Sequence, residues 1–188
     1  MGSRPTETVT FLFTDVVGST ARWEADPQLM AEALALHDEV MRTAIDAHGG
    51  YVFATGGDGF AVAFQRADQA AAAAVHAQRS LRAASWPGEQ PLAVRMGAHS
   101  GDTVERDGDY FGPAVNRAAR VMDAANGGQF VVTSVTDALV PAYQDGVVAR
   151  PLGAHRFKGL DGVLDVVEVV IDDADDLGPL RHGGGHTH

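Results

Sequence analysis

Residues 51–64 read YVFATGGDGFAVAF, two apolar runs joined by a glycine-rich turn. β-Branched and aromatic residues on both sides of such a turn are typical of a β-hairpin. A hairpin constrains the rest of the fold, because its two strands need further strands or a covering helix to bury their apolar faces. The turn also carries one carboxylate, Asp58, between Gly57 and Gly59. We therefore expect a largely antiparallel sheet with an acidic group at one strand end.

Strand-like and helix-like segments alternate on both sides of the hairpin. Short β-branched or alternating runs predict five further strands, at 9–13, 92–99, 130–133, 147–151 and 166–171. Apolar residues at three-and-four spacing, with Pro or Gly at the ends, predict helices at about 27–48, 67–84, 113–125 and 135–140. This order predicts an α+β fold with helices on one face of a mostly antiparallel sheet.

Length and charge limit the function classes. A chain of 188 residues with 45% hydrophobic residues suits one soluble domain, and its net charge of −11 disfavours nucleic-acid binding. Without cysteine, a membrane-length apolar run or a signal peptide, we expect a cytoplasmic protein with no membrane segment. We expect a flexible lead-in at 1–8, one domain at 9–171 and a disordered tail at 172–188. The tail histidines could capture a stray metal ion: His182, His186 and His188.

Two carboxylates lie at predicted strand ends. Asp15 follows the first strand, in FTDVVGST, and Asp58 lies in the turn of a hairpin expected to pair beside that strand. Each could be an ordinary turn aspartate, but a pair of them suits Mg²⁺ or Mn²⁺. Gly18, Ser19 and Thr20 then lead into a helix, where backbone N–H groups can hold phosphate oxygens. Neither a P-loop nor a GxGxxG segment that opens a helix after a strand is present.

The segment DYFGPAVNRAARV supplies a second group of polar residues. Pro113 starts a helix, so Asn116 and Arg120, four residues apart, lie on one side of it. An amide and a guanidinium held there suit ribose positioning and charge neutralisation on a transferring phosphoryl group. A solvated helix face is the alternative interpretation of this pair alone.

FTDVVGST, GGDGFAVAF, VRMGAHSG and DYFGPAVNRAARV, in this order and spacing, resemble the catalytic domain of class III adenylyl/guanylyl cyclases, closest to the bacterial, actinobacterial type. The resemblance extends from about residue 9 to residue 170. It implies a ferredoxin-like βαββαβ core with an additional C-terminal helix and strands. It also implies that ATP, or GTP, becomes a cyclic nucleotide in a site shared by a head-to-tail homodimer, and that the domain could be fused to or regulated by another domain.

The resemblance also assigns roles to residues of the metal and phosphate site. Asp15 and Asp58, with the backbone carbonyl of Val16, would hold two Mg²⁺ or Mn²⁺ ions. Arg95, in VRMGAHSG, and Lys158, in FKGL, match the arginine and lysine that contact the triphosphate.

The residues of the other half-site come from the second subunit in this family. Asn116 and Arg120 would reach the reacting nucleotide from the subunit opposite the one that holds its metal ions. The GGDEF hairpin of diguanylate cyclases is a rival for GGDGF, but it has a second acidic residue where Gly59 stands and lacks the NRAAR helix.

The purine-reading pair departs from the pattern of adenylyl cyclases. Asp109 occupies the position of the family's aspartate, but Ala54 stands where a lysine is usual, four residues before Asp58. Alanine offers no hydrogen bond, and a lone carboxylate can also accept from guanine. Three alternatives remain: a cyclase that prefers ATP with relaxed purine selectivity, a nucleotide-binding or regulatory domain with little turnover, and an interaction module that keeps only the fold.

Overall fold

The computed structural model of the protein describes residues 2–181, so His182, His186 and His188 lie outside the described residues. Seven strands form the main sheet, and two short strands form a separate hairpin. The seven are β1 (Thr8–Val16), β2 (Tyr51–Gly56), β3 (Gly59–Phe64), β4 (Val94–Asp102), β7 (Phe130–Thr133), β8 (Val147–His155) and β9 (Leu164–Ile171). The short hairpin consists of β5 (Val104–Arg106) and β6 (Asp109–Phe111).

Helices connect these strands in the order expected for a βαββαβ core. They are α1 (Ser19–Ala25), α2 (Pro27–Ala47), α3 (Ala67–Ala83), α4 (Pro113–Ala124) and α5 (Ser134–Ala138), with a 3₁₀ turn at Pro87–Glu89. The strand order is β2-β3-β1-β4-β7-β9-β8. Its pairs are antiparallel except β4 with β7, which the crossover through α4 makes parallel. The expected α+β, ferredoxin-like class is confirmed.

The predicted hairpin forms with a two-residue turn, Gly57-Asp58. Gly57 has a φ of 59°, a left-handed conformation that glycine adopts without steric cost. β3 pairs with β1 so that Phe60 lies opposite Thr14. The backbone N–H of Phe60 also donates to the Thr14 hydroxyl at 3.2 Å. The turn is thereby fixed beside the end of β1.

Helices cover both faces of the sheet, so the expectation of helices on one face was wrong. Side chains of α2 and α3 form the larger core with the face of β1 and β4 that carries Leu12 and Met96. α4 packs on the opposite face, where Ala114 and Ala118 meet Phe11. The helix can approach β4 this closely because Gly97 has no Cβ. A Cβ at this position would lie 2.2 Å from the backbone nitrogen of Met122. The glycine therefore makes room for a second helical layer.

The two terminal segments pack on the domain where the structure describes them. Pro5 is buried and its carbonyl accepts from the Tyr110 hydroxyl at 2.8 Å, which differs from the flexible lead-in that we expected. In the expected disordered tail, Asp172 pairs with Arg79 at 2.7 Å, and the N–H of Arg181 donates to the carbonyl of Ala124 at 2.6 Å. Both segments therefore make tertiary contacts that their polar sequences do not predict.

In the part of the chain from residue 2 to residue 181, none of the helices has the length and apolar character needed to cross a membrane.

Candidate active site

The two predicted metal-binding carboxylates lie together at one edge of the sheet. Asp15 is the penultimate residue of β1, and the β2–β3 turn that carries Asp58 is held beside it by the β1–β3 pairing. The two carboxyl groups lie close enough to influence each other's protonation, and Ser19 lies beside Asp58. Burial is the main reason that the pKa of Asp58 is raised. The Ser19 side chain opposes this rise, and the neighbouring Asp15 carboxyl adds to it.

The donor set fits a hard divalent cation. Two neighbouring carboxylates offer the hard oxygen ligands that Mg²⁺ and Mn²⁺ prefer. A Cβ on Gly59 would lie 2.7 Å from the Thr14 carbonyl and 3.7 Å from a carboxylate oxygen of Asp15, so glycine lets the turn approach that carboxylate. Within residues 2–181, no group of three or more His, Asp or Glu side chains could hold a metal ion. Further ligands would have to be backbone carbonyls, such as that of Val16, or oxygens of a bound nucleotide.

Arg95 connects this edge of β4 with the end of α4. Its Nη2 and Nε donate to the same carboxylate oxygen of Asp15 at 2.7 and 3.2 Å. Its Nη1 donates to the backbone carbonyl of Asp123 at 2.8 Å. The β1–β4 pairing sets Arg95 directly opposite Asp15, which explains the ion pair. A guanidinium held against a metal-site carboxylate lies where a triphosphate would meet both.

The predicted residues of α4 face away from its buried stripe. Asn116 is exposed, and Arg120 forms an ion pair with Asp123 at 3.3 Å between Nη1 and Oδ2. Arg120 also lies beside the loop that carries Lys158, since a Cβ on Gly159 would be 3.8 Å from the Arg120 Nε. The fold therefore groups Arg120 and Lys158 on one side of the domain.

The two positions expected to read the purine lie on neighbouring segments. Phe53 precedes Ala54, and Tyr110 follows Asp109. The rings of Phe53 and Tyr110 pack edge-to-face with their centroids 5.1 Å apart. Ala54 is exposed, after an irregularity in the β2–β3 pairing. The carboxylate of Asp109 accepts from the N–H of Tyr110 at 2.8 Å. The aromatic contact thus brings the backbones of these two positions to one region.

The glycine turn after β1 forms as expected, with Gly18 in the left-handed region at a φ of 72° and α1 starting at Ser19. Three contacts at the site were not foreseen from the sequence. They are the Ser19 side chain on Asp58, the Thr14 hydroxyl on the hairpin, and the Asp123 carboxylate beside Arg120. Only the last has a sequence signal, the three-residue spacing of Arg120 and Asp123 on a helix.

Comparison with known proteins identifies a family and several relatives of the chain. Residues 1–166 match the family described as the adenylate and guanylate cyclase catalytic domain. An uncharacterised protein of Mycobacterium tuberculosis is 42% identical over 83% of this chain and 53% of its own length. An adenylate cyclase of Schizosaccharomyces pombe is 32% identical over 85% of this chain and 12% of its own length. The chain thus spans about half, or much less, of these curated relatives.

The fold also matches a solved structure of adenylate cyclases from Trypanosoma brucei, described in their monomeric state. The TM-score is 0.86 and the identity is 26%, over 95% of this chain and 94% of that chain. The match over residues 1–166, together with this match in fold, shows that the chain belongs to the adenylate and guanylate cyclase catalytic domain family.

Proposed function

We propose that this chain is a nucleotidyl cyclase that converts ATP to 3′,5′-cyclic AMP and pyrophosphate in a site completed by a second copy of the chain. The observation that carries the proposal is the convergence of Asp15, Asp58 and Arg95 at one edge of the sheet. Several relatives bear the name adenylate cyclase, which supports ATP as the substrate.

In this reaction the ribose 3′-oxygen bonds to the α-phosphorus, and the bond from that phosphorus to the oxygen bridging to the β-phosphate breaks. Asp15 and Asp58, with the Val16 carbonyl, would hold two Mg²⁺ or Mn²⁺ ions. When bound, such ions acidify the 3′-hydroxyl and neutralise charge on the leaving pyrophosphate. Arg95 exchanges its contact with Asp15 for the triphosphate and keeps its hydrogen bond to the Asp123 carbonyl.

The partner subunit contributes the groups on α4 and on the neighbouring loop. Asn116 orients the ribose, and Arg120 balances negative charge that develops at the α-phosphate. Lys158 binds the triphosphate from the same side. Backbone N–H groups at Gly18, Ser19 and Thr20 hold phosphate oxygens near the metal site.

Purine discrimination is weaker than in a cyclase with the usual lysine. Ala54 cannot donate to the base, so Asp109 reads the purine without its usual partner. One polar contact of this kind is worth about 1–3 kcal/mol, or one to two orders of magnitude in selectivity. We therefore propose that ATP is preferred but that GTP is also accepted.

A second candidate is a nucleotide-binding regulatory domain of the same fold with little turnover. Ala54 favours it, as does the ion pair between Arg95 and Asp15, which the substrate would have to break. Both candidates require nucleotide binding, so turnover distinguishes them.

The test is to incubate the purified protein with ATP or GTP and Mg²⁺ or Mn²⁺, and to measure cyclic nucleotide and nucleotide binding in parallel. Asp15→Ala is the control, because it removes one metal ligand. Cyclic AMP well above the control supports the cyclase. Binding without product selects the regulatory domain, and neither binding nor product refutes both.

A further inference from the structure

The last turn of α4 lies between residues that we assign to two different active sites of a dimer. Asp123 accepts from Arg95 through its backbone carbonyl, at 2.8 Å. Its carboxylate accepts from Arg120 at 3.3 Å and lies 3.9 Å from Nη2 of Arg95. Arg95 belongs to the metal half-site of its own subunit, whereas Arg120 serves the site completed by the partner. One residue thus contacts both half-sites.

Arg120 depends on this carboxylate for its orientation. Its Nε is buried and lacks a hydrogen-bond partner within residues 2–181, and the side chain lies close to Gly159. The side chain of Arg120 is nevertheless 40% exposed, so packing holds only part of it. A long side chain that is fixed at its middle and free at its end needs a partner for the guanidinium. Asp123, one helical turn later, is that partner.

Arg95, by contrast, keeps its position without the Asp123 side chain. Its short contacts are with Asp15 and with the backbone carbonyl of residue 123, and its distance to the Asp123 carboxylate is 3.9 Å. A change from Asp123 to asparagine keeps the size and the backbone carbonyl. It should therefore disturb Arg120 much more than Arg95.

We propose that Asp123 is a positioning residue for Arg120. Through Arg120 it affects the active site whose metal ions the partner subunit holds, and not the site whose metal ions its own subunit holds. The inference rests on the proposed cyclase activity in a shared dimer site. Asp123 does not touch the substrate; it holds the Arg120 guanidinium in the orientation in which it meets the α-phosphate. Because misplacement of a positioned charge by about 1 Å can lower a rate by up to about a hundredfold, a loss near tenfold is expected from Asp123→Asn.

Mixed dimers test which half-site Asp123 serves. A subunit with Asp58→Ala lacks a metal ligand but supplies Arg120, and a subunit with Arg120→Ala supplies the metal half-site. Mixing the two gives dimers with one complete site. Asp123→Asn is then placed in one subunit or in the other, and kcat and KM are measured for each mixture.

We expect kcat to fall about tenfold, with KM changed less than twofold, when Asp123→Asn is in the Asp58→Ala subunit. This split is expected because Arg120 acts on the transition state. In the Arg120→Ala subunit, the same change should alter kcat less than twofold. An equal loss in both placements, a loss only in the metal-supplying subunit, no loss, or a rise in kcat would each overturn the proposal.

Two controls distinguish a failure of the Asp123 inference from a failure of the proposed shared active site. Asp175→Asn removes an exposed carboxylate elsewhere and should leave the mixtures unchanged, which accounts for net charge. If Asp58→Ala and Arg120→Ala subunits do not restore activity to each other while the unaltered protein is active, the shared-site proposal fails first, whatever Asp123 does. If they do, the Asp123 result stands on its own.

Discussion

Ala54 is the residue at which the proposed purine selectivity is most directly tested. It is exposed on β2 beside the aromatic contact of Phe53 with Tyr110, so a longer side chain at this position would project from the sheet without displacing the core. Packing therefore does not require alanine at this position.

Ala54→Lys should raise the ratio of kcat/KM for ATP to that for GTP by about tenfold, because a lysine restores one polar contact to adenine. The ratio is measured from initial rates with each nucleotide. Thr55→Lys adds the same charge one residue along the strand, toward the other face, and should change the ratio little. An unchanged ratio in Ala54→Lys would mean that the purine is read elsewhere.

His99 shows how a residue of β4 can be polar and still belong to the core. It is 4% exposed, and its Nδ1 lies 2.7 Å from the Thr133 hydroxyl. Burial, with a smaller contribution from Arg117, lowers the pKa of His99 to about 4. The imidazole is therefore neutral in the folded protein at neutral pH.

This pKa predicts a loss of stability in acid. Between pH 6.5 and pH 4 the unfolded chain binds a proton at His99 that the folded protein does not, so the free energy of unfolding falls as the pH falls. The slope is about 1.4 kcal/mol per pH unit from this group, and above pH 6.5 it vanishes. Urea unfolding at several pH values measures it. His99→Asn, which keeps a polar atom near Nδ1, should show a smaller slope, and equal slopes would contradict the assignment to His99.

At the scale of elements, the contact of β4 with α4 sets the distance between Arg95 and the polar residues of α4. β4 supplies Arg95 and α4 supplies Asn116, Arg120 and Asp123. Gly97 lets the helix backbone approach β4 directly, because a Cβ there would meet the nitrogen and Cα of Met122 at 2.2 and 2.5 Å.

Gly97→Ala should destabilise the protein by about 3 kcal/mol, since the clash is with backbone atoms that cannot rotate away. Chemical denaturation measures the free energy of unfolding. Gly56→Ala is the matched control, because a Cβ at Gly56 meets nothing within 4 Å. If both variants unfold at the same denaturant concentration, the close helix–strand approach does not limit stability.

The sequence predicted α4 and its start at Pro113, but it identified the buried stripe only in part. The three-and-four spacing predicts a buried stripe of Val115, Ala118, Ala119 and Met122, but Val115 and Ala119 are half-buried. Ala114 and Val121 lie in the core instead. Spacing defines a helix face only to within one residue, and the position of Gly97 under the helix decides which residues face the sheet.

At the scale of the whole molecule, the site groups of one subunit fall into two sets. Asp15, Asp58 and Arg95 form one set, and Arg120 with the Lys158 loop forms the other. Under the proposed function, a nucleotide contacts one set from each of two subunits.

Specific activity should therefore rise with protein concentration and reach a plateau when the dimer is saturated. The concentration at half-maximal activity should equal the dimer dissociation constant from analytical ultracentrifugation. Asp58→Ala, measured over the same range, should dimerise but stay inactive. Full activity at concentrations where only monomer sediments would contradict a shared site.

The sequence by itself determined the local elements and placed on them the residues that we propose carry the chemistry. The hairpin around Asp58, the strand that ends just after Asp15 and the helix with Asn116 and Arg120 follow from periodicity and turn residues, which act over a few neighbours. Tertiary structure alone decided that α4 covers the second face of the sheet, that residues near Pro5 and Arg181 pack on the domain, and that Asp123 joins Arg95 to Arg120. These contacts join groups far apart in the chain, and strand pairing and close backbone approach fix them, so no local pattern records them.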